Sequence, residues 1–414
     1  MNVSNIHNCF GCGVCAITCA KKIINIVQNK DGFYEPVIDE SDKCTECGLC
    51  VEVCSYSHDD LSLANFQITS YAAWSRDAQV RRKCSSGGVG FEIGRSIIEQ
   101  RGKVCGVRYN AEKNQAEHYV ASTNQELIPS IGSKYIQSYT VDGFNDIIKQ
   151  LRQAKKLGQN PTYLVTGTPC QIDSFRRYLQ KFRIEDNFIL LDFFCHGVPS
   201  KLMWDKYVSH MEKKVGKLTY VSWRNKFTGW HDSWAMAMDG EEKGEPVDWH
   251  ESYNLLIKEK KSYLNSRYSQ GDYFYRLFLS DACLGKACYQ RCKFKYDRSS
   301  ADIRIGDAWG KKYEDNNEGI SAVIAFTDKG DKFLNSSNCV FESCEFQIIA
   351  EGQQKELPQE SIYSALIMRL LRNPSTTIEQ AQIIAMIIQM KNNFVRRICN
   401  PQRTLRKLKK KLLK

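Results

Sequence analysis

The chain has 414 residues, 42% hydrophobic and 25% charged, with a formal net charge of +11 and 18 cysteines. This composition excludes wholesale disorder, and no run approaches the roughly 20 consecutive apolar residues of a membrane helix. Ten of the Lys and Arg residues, and no Asp or Glu, fall in residues 391–414, so the rest of the chain carries only +1. A nucleic-acid reading, which wants a basic face on a folded domain, thereby loses most of its support.

In chain order, the first feature is a repeat. Cys9, Cys12, Cys15 and Cys19 recur 35 residues later as Cys44, Cys47, Cys50 and Cys54, with Gly13 and Gly48 in register. The N-terminus has no apolar leader, which argues against export and a disulfide framework and for metal or redox chemistry in a reducing compartment. C-x2-C-x2-C-x3-C, twice, is the spacing of a two-cluster bacterial ferredoxin. Three thiolates at two-residue gaps wrap one face of an iron–sulfur cube, and the fourth reaches the neighbouring cube. Cys9, Cys12, Cys15 and Cys54 are therefore assigned to one [4Fe–4S] cluster, and Cys44, Cys47, Cys50 and Cys19 to the other. Zinc ribbons rarely use such spacing. The Pro that usually follows the fourth Cys is Ala20 in one motif and Ser55 in the other. Between the motifs, Ile24-Asn25-Ile26 and the turn at Lys30-Asp31-Gly32 predict a short hairpin.

Beyond a polar bridge, strands and helices alternate. Ser85-Ser86-Gly87-Gly88 opens a helix carrying Phe91, Ile93, Ile97 and Ile98. Strands are expected at Gly102–Tyr109, Tyr163–Val165 and Phe188–Phe194, with helices at Phe144–Lys156 and over Ile172, Phe175 and Leu179. A Trp-rich β segment is expected over Val221–Asp239, strands at Ala301–Asp307 and Ser321–Phe326, and helices broken by Pro374 after Ser361. The fold class is mixed α/β: a bacterial-type ferredoxin module (1–60), a body in two parts (70–160 and 161–350), and a helical segment with a basic tail (355–414). Cys170 and Cys195 fall at strand ends, where ligands gather in open α/β sheets. Cys283, Cys288 and Cys292 form an incomplete metal pattern. Cys84, Cys105, Cys339, Cys344 and Cys399 read as buried thiols.

Seven blocks stand in order: Ser85-Ser86-Gly87-Gly88-Val89, Gly132-Ser133-Lys134-Tyr135, Gly167-Thr168-Pro169-Cys170-Gln171, Cys195-His196-Gly197-Val198-Pro199-Ser200, Trp223-Arg224-Asn225-Lys226, Cys288-Tyr289-Gln290-Arg291-Cys292 and Ala301-Asp302-Ile303-Arg304-Ile305-Gly306-Asp307. In these the chain resembles the coenzyme F420 hydrogenase/dehydrogenase β-subunit family, over about residues 5–345. The resemblance implies an FAD and a third [4Fe–4S] cluster held by Cys170, Cys195, Cys288 and Cys292, with Cys283 as a substitute because the last pair is spaced C-x3-C instead of C-x2-C. It also implies flavin contacts from Ser85, Ser86, Gly87, Gly88, Gly132, Ser133, Lys134 and Tyr135. Ser-Gly-Gly before a helix fits a pyrophosphate for its own reason, since backbone N–H groups can approach it closely. Lys134 is a candidate for a phosphate or the reduced flavin, and His196 for a proton shuttle.

The function these features imply is an iron–sulfur flavoprotein oxidoreductase, exchanging electrons with an organic two-electron partner, in a setting such as surface-polysaccharide synthesis. The competing expectation is an electron-relay β subunit of a larger hydrogenase or dehydrogenase, with a redox partner subunit and no substrate site of its own. Leu405, Leu408, Leu412 and Leu413 share one helical face opposite Lys and Arg, a pattern suited to an anionic membrane. The expected location is cytoplasmic, in peripheral contact with the inner face of the membrane.

Overall fold

The computed structural model describes residues 2–62, 68–226, 228–241 and 264–399; the Leu405–Leu413 pattern lies outside them. Among the described residues no helix is long and apolar enough to cross a membrane.

The chain is mixed α/β. The ferredoxin-like module carries an antiparallel hairpin, β1 (Ile24–Gln28) and β2 (Tyr34–Ile38), with Ile24 opposite Ile38. The body follows with β3 (Thr69–Ser75), β4 (Lys103–Asn110), β5 (Gln115–Ala121), β6 (Ser138–Tyr139), β7 (Tyr163–Thr166), β8 (Phe188–Phe193), β9 (Leu218–Ser222), β10 (Ala235–Gly240), β11 (Leu264–Arg267), β12 (Ile303–Asp307), β13 (Ser321–Ala325) and β14 (Cys339–Ser343). Nine of these form one sheet in the order β14-β3-β13-β12-β8-β7-β4-β5-β6. Its centre, β12-β8-β7-β4, is parallel. β7 and β8 read as nearly unbroken apolar runs because helices cover both of their faces. Helix Val89–Glu99 packs Ile93 and Ile97 on one face, against Val104, Leu164 and Leu191. Helices Val141–Lys156 and Pro169–Lys181 pack Phe144, Ile147, Phe175 and Leu179 on the other. Pro169 suits the first turn of its helix, where no N–H is needed.

A second sheet, β11-β10-β9, and the helices Lys201–Val215, Tyr273–Leu279, Ser364–Arg372 and Ile378–Cys399 build a separate apolar core. Here the Trp-rich segment departs from expectation. β9 stops at Ser222 and β10 starts at Ala235, and Trp223, Trp230 and Trp234 all lie between them. Trp223 is buried in this core and Trp230 in another, while Arg224 between them reaches Asp307. Anchors in separate directions pull the chain out of a ladder.

Candidate functional site

The two cysteine motifs fold alike. Gly13 and Gly48 both adopt left-handed backbone, with φ of +72° and +76°, and each starts a one-turn helix that buries Cys15 or Cys50. Their surroundings differ. A Cβ on Gly13 would lie 2.3 Å from Thr140 Oγ1, whereas one on Gly48 would meet nothing within 4 Å. Gly13 thus lies against the body and Gly48 does not.

Cys9, Cys12, Cys15 and Cys54 line one small cavity. Burial pushes Cys9 up to about 12 and Cys12 up to about 11, and the neighbouring Cys54 adds to both. Gly11 N donates to Cys9 Sγ at 3.3 Å. Burial, with Cys47 and Cys19 adding, also raises Cys50, and Cys19, Cys44 and Cys50 share one apolar cluster. Cys47 is exposed. Four thiols in each group, with Cys15 and Cys50 buried and Cys9 bonded by a backbone N–H, are the donor set of iron–sulfur clusters, whose ligands are thiolates steadied by such bonds.

A third group forms in the body. Cys170 opens the helix after β7, Cys195 follows β8, and Cys288 lies in the short helix Lys286–Gln290, just before Cys292. Burial pushes Cys288 up to about 12, with Cys195 and Cys292 adding. It also holds Cys170 far above its usual range, with Cys195, Cys288 and Cys12 adding. The two loops are zipped together by Gly285 N to Val198 O at 2.9 Å and a bridge between Pro199 and Leu284. Cys283 does not join them. It is buried in the apolar core, with its thiol on Met203 Sδ at 3.2 Å. Cys84, Cys105 and Cys339 are buried and Cys344 is half-buried.

Ser174 joins the first group to the third. Its Oγ accepts from Ser55 N at 3.0 Å and from Cys12 Sγ at 3.2 Å, while Ser55 Oγ donates to Cys170 O at 3.2 Å. A proline at 55 would have no N–H for this contact.

Beside the third group lies a cavity of about 430 Å³, within the range of small-molecule and cofactor sites. Val104, Leu164, Leu191 and Ile305 form its sheet wall, and the segments beyond the carboxyl ends of β7 and β8 form its rim, including Cys195 and His196. Ser85, Ser86, Gly88, Gly132, Ser133, Lys134 and Tyr135 all line it. Gly87 sits behind them, where a Cβ would strike Ala73 O at 2.3 Å. Ser85 Oγ accepts from Ser133 N at 3.1 Å and so ties two of the expected contact loops together. Gly88 starts the 11-residue helix without a side-chain cap, which leaves its first amides for an anion.

Lys134 is committed to its own loop: its Nζ donates to the carbonyls of Pro129, Ile131 and Gly132 at 2.9, 2.9 and 3.1 Å, and burial pushes it down to about 7. Lys226 does the same for the Ser-Ser-Gly-Gly loop, donating to Ser86 O, Arg81 O and Glu318 O; burial pushes it, too, down to about 7. His196 is held by Asp281, Nε2 to Oδ1 2.7 Å, and packs edge-on to Phe278.

Several residues that matter here carry no spacing signal. Asp281 is one. Lys295 is another, its Nζ on Cys195 O at 2.7 Å and His196 O at 2.9 Å. Arg304 and Asp192, both fully buried, pair through two 2.7 Å bonds, and Arg304 also holds the carbonyls of Phe294 and Tyr296. Arg224 pairs with Asp307 at the cavity wall between the rings of Trp234 and Trp309. Arg224 and Arg304 belong to blocks visible in the sequence; their partners lie too far along the chain to be read from it.

Residues 161–345 match the family model that describes the C-terminal region of the beta subunit in coenzyme F420 hydrogenase/dehydrogenase, and residues 8–57 match a 4Fe-4S dicluster domain. No curated protein matches the chain. Among solved structures it is similar to a chain of the xenon-derivatised F420-reducing [NiFe] hydrogenase complex from Methanosarcina barkeri, at 16% identity and a TM-score of 0.40, over 79% of this chain and 93% of that one.

Proposed function

We propose that the chain, whose residues 161–345 match the coenzyme F420 hydrogenase/dehydrogenase β-subunit model and whose residues 8–57 match a 4Fe–4S dicluster domain, is a member of that family and relays electrons for a partner redox subunit through three cysteine-held clusters to an FAD in the 430 Å³ cavity. When bound, the clusters would exchange single electrons, and a flavin, which exchanges one or two, would couple them to two-electron chemistry. The observation that carries this reading is the order of the thiols in space. Exposed Cys47 belongs to the outer group, Cys12 meets Ser174 at the module's inner edge, and Cys170 and Cys195 continue to the cavity. Cys19, Cys44, Cys47 and Cys50 would hold the outer cluster, Cys9, Cys12, Cys15 and Cys54 the inner one, and Cys170, Cys195, Cys288 and Cys292 the third.

The chain's own residues do the positioning. Lys226 and Lys134 hold the two loops on which a flavin phosphate and ring would rest. Lys295 and the Arg304–Asp192 pair hold the segments that carry Cys195 and lie beyond Cys292.

A second reading, an oxidoreductase with its own organic substrate, is favoured by one observation: His196, oriented by Asp281, stands on the cavity wall and not in the core. Anaerobic purification tests the shared part. About twelve irons and one FAD per chain are expected; about eight irons without flavin would leave only a ferredoxin. Steady turnover of a small organic acceptor by the isolated chain would favour the second reading, and turnover only with a co-purifying subunit the first.

A further inference from the structure

Helix Ile378–Cys399 is apolar on two opposite sides. Ile378, Ala381 and Ala385 are buried against the helices Lys201–Val215 and Tyr273–Leu279. The other side carries Ile383, Met386, Ile387, Met390 and Phe394, each between 38% and 66% exposed. At about 100° per residue these five fall within an arc of roughly 100°. A surface helix ordinarily turns a polar side outward, and a contiguous apolar stripe marks an interaction site.

The charges around the stripe indicate what covers it. Glu379 is the one acid in residues 378–414, and its carboxylate is paired with His210 at 2.5 Å. Arg276, from the helix packed alongside, extends its guanidinium to within 4.0 Å of Met386 Sδ. From Lys391 onward come ten Lys and Arg with no acid. A second copy of the chain would bring like charges face to face. A bilayer edge with acidic headgroups offers an apolar layer for the stripe and anions for Arg276, Lys391 and the basic run that follows in the sequence. We propose that this face of helix Ile378–Cys399 docks on an anionic lipid surface and holds the redox body against it.

The test uses the full-length holoprotein and two vesicle types, phosphatidylcholine alone and phosphatidylcholine with phosphatidylglycerol. The wild type should sediment with the anionic vesicles and stay largely in solution with the neutral ones. The double variant Met390→Glu/Phe394→Glu alters only exposed side chains; it should keep its iron and circular dichroism and lose at least about tenfold of the partitioning. Leu157→Glu, at a 75% exposed position on another face, should sediment like wild type. Unchanged sedimentation of the double variant would overturn the proposal, because binding would then belong to the basic run alone. So would a wild-type dimer, seen by light scattering, that the double variant splits while wild type leaves lipid untouched.

Discussion

Asp192 and Arg304 are fully buried, and each charge is matched by the other and by further hydrogen bonds from Ser299 and to Phe294 O and Tyr296 O. Removing one partner leaves the other as an uncompensated buried ion, at a cost of about 3–5 kcal/mol. Asp192→Ala is therefore expected to lower the thermal midpoint markedly and to free the 294–296 segment, with loss of iron at the neighbouring thiols. Lys134 and Lys226 give a pH dependence. Burial lowers both from an ordinary 10.5 to about 7. Between those values the unfolded chain binds more protons than the folded one, so stability rises as pH climbs from about 7 toward 10.5 and is flat below that window. Thermal midpoints against pH should show a shallower rise in Lys134→Met than in wild type; identical slopes would mean that the three carbonyls keep the ammonium charged throughout. At this scale the cysteines were legible because cluster ligation is local, with gaps of two and three residues. The partners of His196, Arg224 and Cys12 were not, lying 85, 83 and 162 residues away. Spacing offers Cys283 as a ligand because it does not register that the side chain turns into an apolar core.

At the scale of elements, apolar runs and Gly-rich breaks predict β7, β8, β12, β13 and the helices between them, because each of these is buried enough to show its period. β3, β5 and β14 escaped notice. They owe their place in the sheet to neighbours far along the chain, β3 lying between β13 and β14. The Trp-rich segment failed as a strand because its side chains are anchored in separate cores. Docking of the ferredoxin-like module was invisible for a related reason: its hydrogen bonds, Gln137 with Tyr34 N and Phe10 O, Thr140 with Cys12 O and Ser174 with Ser55 N, join residues 103–128 apart in the chain. Ser174→Ala leaves Ser55 N–H without its acceptor in a buried position, at a cost of about 1–3 kcal/mol. Ser55→Pro deletes the same donor from the other side. If this contact is what the non-proline residue serves, the two changes are not additive, and the double variant should lose little more stability than the worse single one. Full additivity in thermal or urea unfolding would assign the Ser at 55 to some other cause.

For the whole molecule, the decisive property is that the three thiol groups stand in series. The ion pairs that tie module to body, Lys181–Glu52, Arg177–Asp60, Lys293–Asp59 and Arg372–Asp31, each include an exposed partner and contribute little individually. The alignment therefore rests on the contacts of Gly13 with Thr140, Gln137 with Phe10 and Tyr34, Ser55 with Ser174, and Val14 and Val53 in the body's apolar core, and among the described residues the first and third thiol groups meet where Cys12 approaches Cys170. Two substitutions separate a series from parallel routes. Cys47→Ser strikes the exposed end, and Cys170→Ser strikes the crossing; each should remove about four irons. With a protein donor of single electrons, both should slow reduction of the FAD proposed for the cavity. With a small reductant that enters the cavity directly, both should leave that reduction intact. The remaining clusters distinguish them. In Cys170→Ser the two ferredoxin-type clusters should still bleach at the wild-type rate while the flavin lags. In Cys47→Ser the inner cluster and the flavin should slow together. Rapid-mixing absorbance at cluster and flavin wavelengths reads both. A Cys170→Ser chain whose flavin kept pace with its clusters would show that electrons reach the cavity by a route other than the one its thiols trace.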